Sequence, residues 1–342
     1  MYPGQIDTDR LKILELRSKS GIRCKLTNLG CRIMELLVPN KNGKLTDVVL
    51  GFDTAQEYLE GPETFFGSVV GRVANRIANA AFDLDGKTYE LAANHGKHHI
   101  HGGERGLHRV VWNVLEKSES QVVCVYHSPA GEEGYPGTLD LKVTYKLSDE
   151  KGLEIRYEAQ ADKRTPLNLT NHSYFNLNGA GNQNIENHII QIYASSFLPS
   201  DKEQIPTGEI RPVDNTPFDL SQQQTIGPLL SVKNEQIEIG NGFDHHFIAD
   251  GKGMRLQAEA ISPLTGIKME VWSDQPGLQF FCGAAMKKAI AGKKGKVYGK
   301  RAAFCMETQG YPNSLNQPGF PRVIVEPGFQ YQKQTIFKFK IG

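Results

Sequence analysis

The sequence predicts an all-β fold, a single domain over residues 1–342 built as a large antiparallel β-sandwich. Three observations predict it. Short runs rich in Val, Ile, Thr, Tyr and Phe recur along the chain, and 35 Gly and 17 Pro are scattered between them as turn residues. Helical periodicity is scarce. No composition shift, linker, repeat or low-complexity tract marks a second domain. A sandwich of this size can carry a ligand on a concave face or at its rim.

Taken in order, Leu11–Leu16 is ambiguous, because Leu11, Ile13, Leu14 and Leu16 break strict alternation. Thr54–Leu59 reads as one or two helical turns with Asp53 as a possible cap. Val122–Tyr126 is apolar throughout and reads as a strand buried on both faces. Leu141–Leu147 alternates cleanly: Leu141, Val143, Tyr145 and Leu147 share one face, with Lys142, Thr144 and Lys146 on the other. Leu153–Ala159 repeats the pattern. In the tail, Phe337, Phe339 and Ile341 oppose Lys338 and Lys340.

Lys plus Arg (39) nearly balances Asp plus Glu (38), for a net charge of +1. Bulk electrostatics therefore offers nothing to nucleic acid or an anionic membrane, and a neutral small molecule is the partner it least opposes. Cys24, Cys31, Cys124, Cys282 and Cys305 are odd in number and form no Cys-x-x-Cys, which suits reduced, mostly inert thiols in a cytoplasm. Met1–Arg10 lacks the apolar segment of a signal peptide, and no apolar run approaches a membrane helix. No Gly-x-Ser-x-Gly elbow, P-loop or dinucleotide fingerprint occurs, which disfavours elbow hydrolases, NTPases and dehydrogenases.

Five polar segments carry candidate chemistry. Asn168–Leu177 packs Asn, Thr, His, Ser and Tyr together, so His172 reads either as a general acid held by hydrogen bonds or as a buried, satisfied histidine. Its two adjacent sequons lie in a strand-like run and read as coincidental. Phe304–Gln309 puts Glu307 and Cys305 on one strand face with Met306 on the other. Glu307 is a partly desolvated general base or an ordinary strand glutamate. Gly71–Ala78 holds Arg72, Asn75 and Arg76, whose donors suit sugar hydroxyls as well as they suit structural ion pairs. Asn94–Gly103 is histidine-rich, but its spacing fits no zinc motif, and His101 alone at a pocket rim is favoured over a metal site. Asn241–Phe247 sets Asp244 among aromatics, either as a hydroxyl acceptor or as a turn residue.

Together these segments, with Gly131-Glu132-Glu133-Gly134-Tyr135-Pro136-Gly137 and Gln275-Pro276-Gly277-Leu278-Gln279-Phe280, resemble the aldose 1-epimerase, or galactose mutarotase, family. The motifs match in order from about Thr27 to the C-terminus. Each is moderately specific and the set is highly so. Departures are confined to Gly310-Tyr311 after Gln309 and to the Lys- and Gly-rich stretch 284–299, which bear on substrate preference. The resemblance implies a β-sandwich of the galactose mutarotase type with an open sugar-binding cleft. It implies His172 as general acid and Glu307 as general base, with Asn75, Arg76, His101, Tyr174, Asp244 and Gln279 around the sugar, and no metal or organic cofactor. A cytoplasmic monomer or weak homodimer is expected, acting on free hexoses such as galactose and glucose.

Anomers interconvert when the C1 hydroxyl loses a proton, the ring oxygen gains one, and the ring opens, rotates and recloses. One base and one acid suffice, and an imidazolium and a carboxylate side by side are expected to stabilise each other's charge. Three rivals stand beside this reading. A non-catalytic sugar-binding module could lose either His172 or Glu307. A hexose 6-phosphate epimerase needs extra cations, for which Arg72 or a lysine within 287–300 is available. A polysaccharide lyase or glycoside hydrolase needs a long groove, and hydrolysis needs a carboxylate pair.

Overall fold

The computed structural model describes residues 7–62, 65–283 and 289–342. Two antiparallel layers face each other across one continuous apolar core. The long layer is a nine-stranded sheet. Its order is Asn113–Lys117, Gln121–Ser128, Leu139–Ser148, Gly152–Ala161, Tyr331–Ile341, Ile267–Ser273, Arg255–Ile261, Ile189–Ile192 and Gln224–Thr225. The short layer has five strands, in the order Arg211–Pro212, Ala194–Leu198, Asp244–Ala249, Gly277–Phe281 and Cys305–Gln309. A four-stranded sheet from the N-terminal region, Ile13–Arg17 to Leu45–Asp47, packs into the same core.

Alternation explains the long sheet. Leu139, Leu141, Val143, Tyr145 and Leu147 are buried, and the intervening residues turn toward solvent. The ambiguous Leu11–Leu16 run is a strand from Ile13 to Arg17 with Leu14 and Leu16 inward and Ile13 half exposed. In the expected two-faced strand, burial on both faces holds only for Val122, Val123 and Cys124, and Val125 and Tyr126 lie partly at the surface. The tail alternation fades toward the end: Phe337 is buried, but Ile341 is 53% exposed where its strand leaves the core. The Asp53 cap is corrected. The helix is Glu57–Glu60, Thr54 and Glu57 bond each other's backbone and side chains, and Asp53 instead accepts from Lys294 N–H.

All five cysteines are buried and none forms a disulfide. Among the described residues, no helix is long and apolar enough to cross a membrane. The leader reading of residues 1–6 and the lysine-rich reading of 284–288 lie outside the described residues.

Candidate active site

The short sheet is amphipathic in a way that makes a site. Phe247, Leu278, Phe280 and Met306 point into the core. The opposite face carries Asp244, Gln279, Phe281, Cys305 and Glu307, because side chains alternate and the register pairs Asp244 with Phe281, Phe281 with Cys305, and Gln279 with Glu307. His172 joins this row from another part of the chain. Phe175 and Phe304 form an antiparallel bridge with both backbone bonds made, at 2.7 and 2.9 Å. Three residues back from Phe175 and three forward from Phe304, the antiparallel sense brings His172 opposite Glu307. His172 is fixed on its other side by backbone bonds to Ser68 and Gly67.

His172 Nε2 lies 3.5 Å from Glu307 Oε1. The imidazole stacks near-parallel to Tyr174, at 4.8 Å and 10°, and to Phe65, at 5.8 Å and 17°, so ring packing helps to set its plane. Both reacting side chains are buried. Among the described residues, His172 Nδ1 and Glu307 Oε2 have no hydrogen-bond partner, so each is open to a ligand. Burial drives the His172 imidazole down to about 3. Burial likewise holds the Glu307 carboxyl well above the usual carboxylate range; Asp244 adds to this and Arg76 opposes it. The expectation that the two charges stabilise each other is therefore corrected for the sugar-free site. Desolvation favours the net-neutral pair with its proton on Glu307.

All eight residues singled out in the sequence line one cleft of 420 Å³, a volume suited to a single sugar ring. His101 and Asn75 lock each other: His101 N–H donates to Asn75 O at 3.1 Å, and Asn75 N–H donates to His101 Nδ1 at 3.2 Å. The acceptor role of Nδ1 leaves the neutral His101 ring with its proton on Nε2, available as a donor. Burial, reinforced by His172 and Arg76, holds His101 well below the usual imidazole range. Gly102 beside it has φ 85°, and a Cβ there would lie 1.7 Å from Gly71 O, so the turn that presents His101 admits no side chain. Gln279 Nε2 donates to Asp244 Oδ1 at 2.7 Å. The two form a ready pair for adjacent hydroxyls.

The two arginines of the Gly71–Ala78 segment part company. Arg76 enters the cleft. Arg72 is buried and donates to Ser128 Oγ and to the carbonyls of Ser128, Pro129, Pro136 and Gly137. It clamps the Gly131–Gly137 turn and is not a phosphate ligand. In the same turn, the Glu133 carboxylate accepts from Glu104 and Arg105 N–H and thereby steadies the loop after His101. The described lysines of 289–300 do not line the cleft either: Lys293 is buried on Asp47, Lys294 pairs with Glu35, and Lys296 bonds Ala180 O.

The sequence reading missed Phe65, His95, His108, Arg109 and Phe281, which also line the cleft. His95 lay inside a quoted segment, but His108 and Arg109 reach the site through a short 3-10 turn with no local signature. Among the described residues, the group whose ligand atoms could converge on a metal ion is His172, Cys305 and Glu307, all within 4.8 Å of one another. The histidines of 94–103 form no such group. A cation held there would occupy the same atoms that proton transfer needs.

Comparison with known proteins gives one consistent result. The family model described as Aldose 1-epimerase matches residues 12–338. The galactose mutarotase of Sus scrofa is 46% identical over 94% of this chain and 92% of its own, and that of Homo sapiens is 44% identical over the same shares. The aldose 1-epimerase of Escherichia coli K12 is 30% identical over 97% and 96%. Among solved structures, an aldose epimerase homologue from C. elegans superimposes with a TM-score of 0.89 at 30% identity, covering 97% of this chain and 99% of that one.

Proposed function

From the premise that this chain belongs to the aldose 1-epimerase family, we propose that its cleft opens and recloses the pyranose ring of a free hexose such as galactose or glucose, with Glu307 as base and His172 as acid. The chain is an aldose 1-epimerase and interconverts anomers. The assignment of roles rests on one observation above all: His172 Nε2 and Glu307 Oε1 stand 3.5 Å apart on the cleft wall. The two oxygens they must serve sit on a single carbon of the sugar. Two groups this close can each reach one of them, which a widely spaced pair could not.

The proton inventory is simple. The pair holds one proton, resting on Glu307 in the empty site. When the sugar enters, the proton moves from Oε1 to Nε2, giving carboxylate and imidazolium without help from solvent. Arg76 favours that carboxylate, and the C1 hydroxyl donates to it. Glu307 then takes the C1 hydroxyl proton while His172 gives its proton to the ring oxygen, and the C1–O5 bond breaks to leave the aldehyde. Rotation about C1–C2 followed by the reverse transfers gives the other anomer and restores the pair. His101 supports the ring oxygen, and Asn75, Arg76, Tyr174, Asp244 and Gln279 hold the remaining groups.

The test is Glu307→Gln, which keeps the shape and removes the base. Polarimetric conversion of fresh α-galactose should fall by roughly 10²-fold or more, the usual worth of one positioned proton transfer, while equilibrium binding of galactose persists. Near-normal turnover in this variant removes Glu307 from the mechanism.

A further inference from the structure

The guanidinium of Arg76 reaches the cleft, yet among the described residues no carboxylate lies within ion-pair distance of it. Its Nη2 donates to the side-chain oxygen of Gln204, and its buried Nε has no partner among the described residues. Gln204 comes from a tight turn far away in sequence. Asp201 builds that turn, its carboxylate accepting from Glu203 and Ile205 N–H at 2.9 and 3.0 Å. The turn is pinned at two further points. Gln236 exchanges two hydrogen bonds with the backbone of Ser200, and Glu203 pairs with Lys97 at 2.8 Å and with His98 at 3.6 Å. Gln204 itself adopts φ 62° and is half-buried, and its Nε2 donates to Ile239 O at 3.5 Å. A left-handed backbone at a non-glycine residue, held from both sides, is an arrangement built to aim one side chain.

We propose that Gln204 is a positioning residue for the epimerase reaction: its neutral amide oxygen holds the Arg76 guanidinium at the sugar without neutralising it, so that the whole positive charge acts on Glu307 and the bound hexose. The choice of acceptor is the point. A glutamate at 204 would make an equally good hydrogen bond and a charge-assisted one, but it would pair with Arg76 and spend its field locally. The amide keeps the geometry and leaves the charge free. The proposal rests on the acid–base reading of the same cleft.

The charged and titratable groups around the contact are known. Glu307 is faced by His172, Asp244 and Arg76, with Cys305 on its own strand face. Around the Arg76–Gln204 contact, His95 and His101 feel the Arg76 charge, and Lys97 and His98 of the same loop reach Glu203 in the turn that Asp201 builds. Glu203 is already engaged by Lys97 and His98, so a new carboxylate at 204 would fall on Arg76, the cation that Gln204 contacts.

Two variants of similar length separate positioning from scaffolding. Gln204→Met removes the acceptor, so KM for galactose should rise about tenfold, the lower end of what a hydrogen bond to a charged group contributes. Arg76 keeps its charge in that variant, so the pH limbs of kcat/KM stay in place. Gln204→Glu should keep KM near the wild-type value and move both limbs to higher pH, because the acid–base pair no longer feels an uncompensated cation. Thermal melting of each variant reports whether the turn still folds. Equal losses in both variants with unmoved limbs, or no change in either, overturn the proposal. If Glu307→Gln retains turnover, the acid–base reading itself fails. If Glu307→Gln is inactive and Gln204→Glu leaves the limbs in place, only the role of Gln204 fails.

Discussion

Burial controls the reacting residues more than their neighbours do. An imidazole pushed down to about 3 and a carboxyl pushed up share one proton, and desolvation penalises both of the states in which the pair carries net charge. The sign follows. As pH falls, His172 gains a second proton only well below its ordinary value of 6.5, and as pH rises the pair keeps its last proton above the ordinary carboxyl value of 4.5. The acid limb of kcat/KM for mutarotation should therefore lie far below that of a free histidine, near 3, and the alkaline limb above 4.5. Polarimetry across the pH range in which the protein stays folded measures this, and an acid limb at the ordinary imidazole value contradicts it. Asp244 offers a second check. Replacing it with Ala removes one hydroxyl acceptor and leaves Gln279 without its partner. KM should rise by roughly 5- to 150-fold with kcat little changed, for a loss of about 1–3 kcal/mol. A fall in kcat alone would make its role catalytic.

At the scale of elements, strand alternation and register do the positioning. Cys305 and Glu307 share a face because they are two apart, and Gln279 lies beside Glu307 because the neighbouring strand pairs them. The loops need other devices. Arg72 replaces a sheet ladder for the Gly131–Gly137 turn by giving its donors to four carbonyls and two hydroxyls. Arg72→Met keeps the apolar stem but strands those carbonyls. It should cost about 3 kcal/mol or more of stability, read as a lower urea midpoint. Because Glu133 in that turn steadies the loop of His101, KM should rise as well. A variant with wild-type midpoint and KM would show that the clamp carries neither. The sequence showed two arginines of equal promise here, and nothing local could separate them. Their side chains diverge only because one backbone position faces the turn and the other faces the cleft.

Across the whole molecule, many histidines are buried in neutral form. His99 and His188 are held down to about 4, and His245 and His246 to about 3, all by burial. A histidine with a depressed folded value contributes stability that is present above its unfolded value and is lost as pH falls below it. Each such group adds up to about 1.4 kcal/mol per pH unit to the slope. The urea midpoint should be flat near neutrality and fall steeply as pH drops below 6.5, the ordinary value these rings recover on unfolding. A midpoint unchanged between pH 7 and pH 5, a span of about two units over which the unfolded imidazoles become charged, would mean that the rings are not held neutral.

Much of this was written in the sequence. Alternation at Leu141–Leu147 and Leu153–Ala159 specified strands, because a pleated backbone sends successive side chains to opposite faces; the folded strands run a little longer, Leu139–Ser148 and Gly152–Ala161. The placing of Glu307 and Cys305 on one face follows from the same rule. The eight candidate residues were legible as polar segments in a familiar order, which composition and period alone would not have joined. Tertiary structure decided what depends on distant parts of the chain meeting. The Phe175–Phe304 bridge sets His172 against Glu307, burial moves the shared proton to the carboxyl, and a remote turn brings Gln204 to Arg76. Local sequence carries backbone preference and side-chain period. Desolvation and charge separation are properties of the assembled volume, and they exist only once the layers have closed around the cleft.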